Sequence, residues 1–110
     1  MERTPRMTGP TRSVLEVFLD DPARDRYGLE VGSLAGLPSG TVHPILARLE
    51  GVGWLTSGWE GVDPRAAGRP RRRYYRLTPR GTHEAHQALA RSEAARTRLL
   101  TRLAPLGELP

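Results

Sequence analysis

No proline interrupts the chain between Pro79 and Pro105, and Thr78-Pro79 reads as an N-cap followed by the first residue of a helix. That helix is predicted to run from Pro79 to about Ala104, stopped by Pro105 and Gly107. Its 26 residues, at about 1.5 Å each, would measure roughly 39 Å. This is more than a domain built from the rest of a 110-residue chain can cover. Ala85, Leu89, Ser92, Ala95 or Arg96, Leu99 and Leu103 recur at three- and four-residue intervals along it. Leu99, Leu100, Leu103 and Leu106 would lie far from the chain's own core, in water. A second copy is the simplest cover, so a homodimer is expected, with Leu89, Leu99, Leu100 and Leu103 in its interface. The alternative is a helix folded back on the first one.

Everything else must be built upstream. Residues 1–10 show no apolar periodicity and read as a flexible tail. From Thr11 to Leu19, Val14, Leu15, Phe18 and Leu19 fall at helical spacing, and Asp20-Asp21-Pro22 ends the element. After the polar loop "DPARDR", a short helix at about Tyr27–Ala35 is expected to turn Tyr27, Val31 and Leu34 inward. Gly36 and Pro38 then make a turn, Ser39 or Thr41 caps a new helix, and Val42, Ile45, Leu46 and Leu49 form its apolar stripe. Pro44 places the start of this helix near Ser39 to Thr41, because a proline deep in a helix loses a backbone bond and kinks it. Gly53 supplies the stop. Two short helices joined by a glycine-containing turn describe a helix-turn-helix.

"WLTSGWE" follows as a strand, with Leu55 toward the core. "GVDPRAAGRP" reads as a loop, and "RRRYYRLT" as the returning strand, in which Tyr75 and Leu77 face inward and Arg72, Tyr74 and Arg76 outward. A hairpin directly after a helix-turn-helix is a wing. The fold class is therefore α+β and mostly α, a winged helix-turn-helix with a long C-terminal dimerisation helix. Its divisions are a tail at 1–10, a DNA-binding domain at 11–78, the dimerisation helix at 79–104 and a second tail at 105–110.

Charge points the same way. All seventeen basic residues are arginine and the net charge is +5. Lysine and asparagine are absent and isoleucine occurs once. That usage fits a GC-rich genome, so arginine in place of lysine carries no functional signal. The distribution does. Seven arginines lie between Arg65 and Arg80 with no acidic residue among them, an electrostatic footprint for an anionic partner. Double-stranded DNA is the expected partner, the second helix entering the major groove and the wing following phosphates or the minor groove.

The candidate DNA-binding residues are Ser39, Thr41, His43 and Arg48 on the second helix of the pair, and Arg69, Arg71, Arg72, Arg73 and Tyr74 on the wing. Arg48 alone on that helix can make a bidentate guanine contact, and two turns in it can instead reach a phosphate. Thr41 and His43 are better placed for base edges, although Thr41 serves equally as a cap. Protonated His43 would offer two donors, so binding through it should weaken toward alkaline pH. Tyr74 can bond a phosphate, and Arg76 sits on the exposed strand face. Trp54 and Trp59 are expected to be packing residues. If each subunit of a dimer neutralises about four phosphates, the log–log salt slope should be near −7.

Other chemistries find little support. The chain has no cysteine, which removes disulfides, thiolate metal sites and cysteine nucleophiles. His83 and His86 in "HEAH" are one residue short of the HExxH spacing and have no third ligand nearby, so no metal is expected. No serine–histidine–acid set, phosphate-cradling loop or carboxylate cluster suggests an enzyme, and no cofactor is implied. With no apolar run long enough for a membrane span and no signal-peptide core, a soluble cytoplasmic protein is expected.

Three blocks in order, "YGLEV" at Tyr27, "SGTVHPILARLEGVGWLTSGWE" at Ser39 and "GRPRRRYYRLTPRG" at Gly68, resemble the PadR family of transcriptional regulators. With their connections they span Tyr27 to Gly81. The resemblance implies a winged helix-turn-helix with a helical C-terminal dimerisation element, here the short, single-helix form. It implies a transcriptional repressor, often one answering a small phenolic or drug-like effector. Two departures stand out: His43 occupies the place before the recognition-helix proline where the family often has tyrosine, and Gly51 loosens the end of that helix. No aromatic residue follows Tyr75, so a flat-ring drug pocket on the long helix is not expected, and an effector of unknown type is left open. The rival readings are a sequence-tolerant architectural DNA-binding protein and a winged-helix module for an acidic protein partner.

Overall fold

The structure, a computed structural model, describes residues 4–104. Eight elements follow in order: α1 (Gly9–Asp20), β1 (Arg26–Tyr27), α2 (Gly28–Ala35), α3 (Ser39–Gly51), β2 (Leu55–Trp59), α4 (Pro64–Ala67), β3 (Arg73–Leu77) and α5 (Pro79–Leu103). The three strands form one antiparallel sheet in the order β1-β3-β2. The core lies between this sheet and helices α1, α2, α3 and the first half of α5. Val14, Leu15, Phe18, Val31, Leu46 and Leu49 are its fully buried aliphatic and aromatic centre, with Trp54 against them.

Helix α1 begins two residues before the expected Thr11. The Thr8 hydroxyl accepts from the Thr11 amide at 3.3 Å, Pro10 occupies the first turn, and Thr11 is buried. The expected tail is thus partly structured, since Pro5 is buried and Met7 packs against the core. Residues 1–3 and the expected second tail, with Leu106 and the stop signals Pro105 and Gly107, lie outside the described residues.

Helix α2 corrects one expectation. Val31 is buried, but Leu34 is 60% exposed. The helix starts at Gly28 rather than Tyr27, and it presses Val31 and Gly32 inward, Gly32 lying against the Leu37 carbonyl and Val42. Tyr27 belongs instead to β1, pairing with Tyr74 of β3. Its amide donates to Glu30 Oε1 at 3.3 Å, which satisfies one of the open donors at the start of α2. Gly36 ends α2 with φ of 69°, a left-handed turn that any side chain would strain. The turn is closed by the Leu37 amide on the Gly32 carbonyl at 2.9 Å.

Helix α3 starts at Ser39, as Pro44 requires. Neither Ser39 nor Thr41 caps it, however: the N-cap is Pro38, whose carbonyl accepts the Thr41 and Val42 amides at 2.9 and 3.1 Å. Val42, Ile45, Leu46 and Leu49 face the core. The helix ends at Gly51, ahead of the turn at Gly53.

The β2–β3 hairpin has the expected alternation. Leu55 pairs with Leu77 and Ser57 with Tyr75, and Leu55, Tyr75 and Leu77 are buried. Its expected loop contains a single helical turn, α4, capped by the Asp63 carboxylate on the Arg65 amide at 3.0 Å. Trp54 is buried, whereas Trp59 is 59% exposed near the hairpin tip and is not a packing residue.

Thr78 caps α5 as expected: its hydroxyl accepts from the Gly81 amide at 2.9 Å and donates to the Gly53 carbonyl at 2.8 Å. Ala85 and Ala88 are buried, Leu89 packs half-buried against the protein's own core, and Arg12 of α1 bonds Glu93 at 3.1 Å. Every residue from Glu93 to Leu103 is exposed. The second half of α5 does not fold back on α1. It projects, giving a molecule 66 Å long and 30 by 22 Å across.

Candidate nucleic-acid interface

Helix α3 turns four positions away from its buried stripe. Ser39, His43 and Arg48 are exposed and Thr41 is half-buried. The His43 ring rests beside Gly28 at the start of α2, where a β-carbon would lie 3.1 Å from its Cε1. This contact makes His43 one wall of a recess of about 250 Å3, lined also by Tyr27, Leu29, Tyr75, Arg72 and Arg73. The recess brings helix α3 and the basic strand together on one face. Leu29, 82% exposed, stands on its rim.

On the wing, Arg71, Arg72 and Arg73 are exposed and Arg69 half-exposed. Tyr74 is half-buried, lying across its partner Gly58, where any β-carbon would come within 2.6 Å of the phenol oxygen. The seven-arginine stretch has no acidic residue in sequence, yet the fold supplies acids from elsewhere. Arg76 pairs with Asp25 at 3.3 Å. Arg73 donates to Glu50 of α3 at 3.4 Å and to the Ser57 hydroxyl at 2.8 Å, and its guanidinium lies 5.5 Å from the Trp59 ring. Ser57 in turn bonds the Glu50 carboxylate.

The most engaged acid is Glu60, at the end of β2 and only 8% exposed. Its carboxylate accepts from Arg69 through both terminal nitrogens, from the Arg72 amide at 2.8 Å and from Arg72 Nε at 3.4 Å. The Tyr27 hydroxyl reaches it at 3.5 Å, and the Arg72 guanidinium stacks 4.2 Å from the Tyr27 ring. A buried carboxylate requires such partners. The Arg69 hydrogen bond, with the Arg72 amide and both positive charges, outweighs burial and lowers its pKa from 4.5 to about 2. Arg69 is correspondingly held more firmly protonated by Glu60.

Two wing cations are less engaged. Arg71 gives its Nε to the Val62 carbonyl at 3.0 Å. Arg65, on α4, is exposed and did not figure among the expected contacts. Its signal was in the sequence, because Asp63-Pro64 is a helix start that lifts Arg65 onto the hairpin tip. The role of Glu60 had no such signal: only the strand pairing brings residue 60 next to residues 69 and 72.

A helix-turn-helix followed by a basic hairpin, with the second helix and the hairpin on one face, defines the winged helix fold. The PadR-like family of transcriptional regulators matches residues 23–87, more than half of the chain. The protein belongs to that family of transcriptional regulators. Among curated proteins no sequence matches it. Solved structures resemble it along most of its length. The PcaV transcriptional regulator of Streptomyces coelicolor, in complex with its natural ligand, is 25% identical with a TM-score of 0.68 over 92% of this chain. This chain spans 66% of that regulator's length. A PadR family transcription regulator from Clostridium difficile R20291 has a TM-score of 0.69 at 20% identity, covering 88% of this chain and all of its own. BpsR of Bordetella bronchiseptica, whose DNA binding is regulated by 6-hydroxynicotinic acid, has a TM-score of 0.66 at 19% identity over 93% of this chain and 73% of its own. At those identities the last two likenesses show the fold. No helix among the described residues is long and apolar enough to cross a membrane.

Proposed function

We propose that the protein is a homodimeric, cytoplasmic repressor that binds a roughly palindromic operator. Residues 11–78 are its DNA-binding unit and residues 79–104 its dimerisation helix. The observation that carries this reading is the shared face: His43 of α3 and Arg72 and Arg73 of the wing line one recess, so one duplex can meet the helix in its major groove and the wing on its backbone. Ser39, Thr41 and His43 face base edges and Arg48 a guanine or a phosphate. Arg69, Arg71, Arg72, Arg73 and Tyr74 make up the wing's side of that surface. The dimer reading is supported by Leu99, Leu100 and Leu103, which are 51%, 55% and 68% exposed on the projecting half of α5. Three leucines in water at one helix end favour a second copy. Half-buried Leu89 extends the same helix toward the core and stands at the inner edge of that interface.

A symmetric pair places two recognition helices about 34 Å apart, or a multiple of that, along one side of the duplex. Footprinting on the DNA upstream of its own gene tests this. Two protected half-sites of related sequence, about ten base pairs centre to centre or a multiple thereof, are expected. A single unsymmetric footprint, or uniform protection of any DNA, would favour the architectural reading instead. The natural ligand bound by PcaV and the 6-hydroxynicotinic acid that regulates BpsR support a small-molecule effector here too, its chemical type open.

A further inference from the structure

The wing of a DNA-binding protein needs cations, yet two of its arginines are spent inside this protein. We propose that Glu60 is a positioning residue for DNA binding: it closes the wing on itself through Arg69 and Arg72 and ties it to the entrance of α2 through Tyr27, and the wing cations that meet phosphate are Arg65 and Arg71. The inference rests on the DNA-binding reading above and divides the wing's arginines by role.

The geometry distinguishes the two groups. Glu60 takes five donor contacts, four from residues 69 and 72 and one from Tyr27. Tyr27 precedes α2 and pairs with β3, so the carboxylate ties the hairpin loop to the helix-turn-helix as well as to itself. The Glu60 amide returns to the Arg72 carbonyl at 3.0 Å, closing the hairpin below the tip. A phosphate arriving at Arg69 would have to displace a carboxylate and leave it buried with fewer partners, which is costly. A phosphate arriving at Arg71 displaces no acid, and α4 presents Arg65 on the same hairpin connection. One ordered wing also loses less conformational freedom on binding than a mobile one.

The clamp makes a prediction opposite in sign to simple electrostatics. Removing a negative charge beside a DNA-binding surface should strengthen binding if Glu60 merely masks arginines. As a clamp, its removal weakens it. The test uses the full chain with E60Q, R69Q and R71Q, each checked for folding by thermal melting. Binding to its own upstream DNA is read by fluorescence anisotropy across a salt series, and amide hydrogen exchange is read in the free protein. E60Q and R69Q should each lower affinity roughly tenfold at every salt concentration with the wild-type slope, whereas R71Q should make the dimer's slope shallower by about 2. In the free protein E60Q should speed exchange of the Arg72 amide by about tenfold or more, with the Tyr75 and Leu77 amides unchanged.

Tighter binding by E60Q, or a slope change in R69Q equal to that in R71Q, would overturn the clamp. Should E60Q fail to fold, R69Q decides by the same slope criterion. A wild-type slope shallower than about −3 would reject DNA contact by the wing itself. That result also rejects Arg65 and Arg71 as phosphate contacts, and an Arg72 amide whose exchange is unchanged in E60Q rejects the clamp.

Discussion

Gly81 lies where α5 leaves the sheet, and a β-carbon there would sit 2.0 Å from the Trp54 carbonyl oxygen. The Thr78 amide donates to that same carbonyl at 2.9 Å, so the backbone cannot retreat without losing the bond. Gly81→Ala should therefore destabilise the fold by about 3 kcal/mol or more, measured by chemical denaturation. Glu60 makes a second prediction, in pH. Its folded pKa of about 2 is below the ordinary 4.5, so its contribution is fully present above pH 4.5 and lost as pH falls through about 2. The stability gap between wild type and E60Q should be constant from neutral pH down to about 4.5 and close as pH approaches 2. A gap that persists undiminished at pH 2 would show that the carboxylate's charge is not what matters. At this scale the sequence was readable for groups whose partners are near in the chain. The Thr78-Pro79 cap is one, and the inward Tyr75 and Leu77 are another. Glu60 was not readable, because its ligands become neighbours only through strand register. For the same reason Trp59 looked like core although it ends beside Arg73 at an exposed tip.

Among the elements, α5 changes role along its length. Its first half packs on the core with Ala85 and Ala88 buried, and its second half presents leucines to solvent. Replacing Leu99 and Leu103 together with arginine should convert a dimer to a monomer in sedimentation analysis while leaving the melting of the winged unit nearly unchanged. A coupled loss of folding would mean that the leucines serve the protein's own core. Thr78→Ala, which removes the cap and the bond to Gly53, should cost about 1–2 kcal/mol by the same denaturation measurement. The helices α1, α3 and α5 were legible because their apolar residues repeat with helical period and stand beside clear start or stop signals. Two elements were missed: β1 is two residues long and carries no alternation, and α4 is one turn hidden in a glycine- and proline-rich segment. The inner face of α2 was misread because the period cannot fix phase in eight residues. Leu34 looked buried by spacing from Tyr27, but Tyr27 belongs to the sheet.

For the whole molecule, net charge and architecture argue together. A basic face made by α3 and the wing, and a projecting helix with exposed leucines, are the two parts the proposed symmetric DNA regulator requires. The order of these parts was legible in the sequence; how many cations remain for DNA was not, since Glu50, Glu60 and Asp25 approach the arginines only in the folded chain. With Arg65, Arg71 and Arg48 meeting phosphate in each subunit, the expected salt slope is between about −5 and −6 rather than −7. Sequence-specific binding is read by fluorescence anisotropy of the purified protein on its own upstream DNA and on random DNA of equal length, across a salt series. A dimeric operator-binding regulator should bind its own upstream DNA roughly a thousandfold more tightly, with a slope in that range. Equal affinity for both DNAs, or a slope shallower than about −3, would contradict that reading.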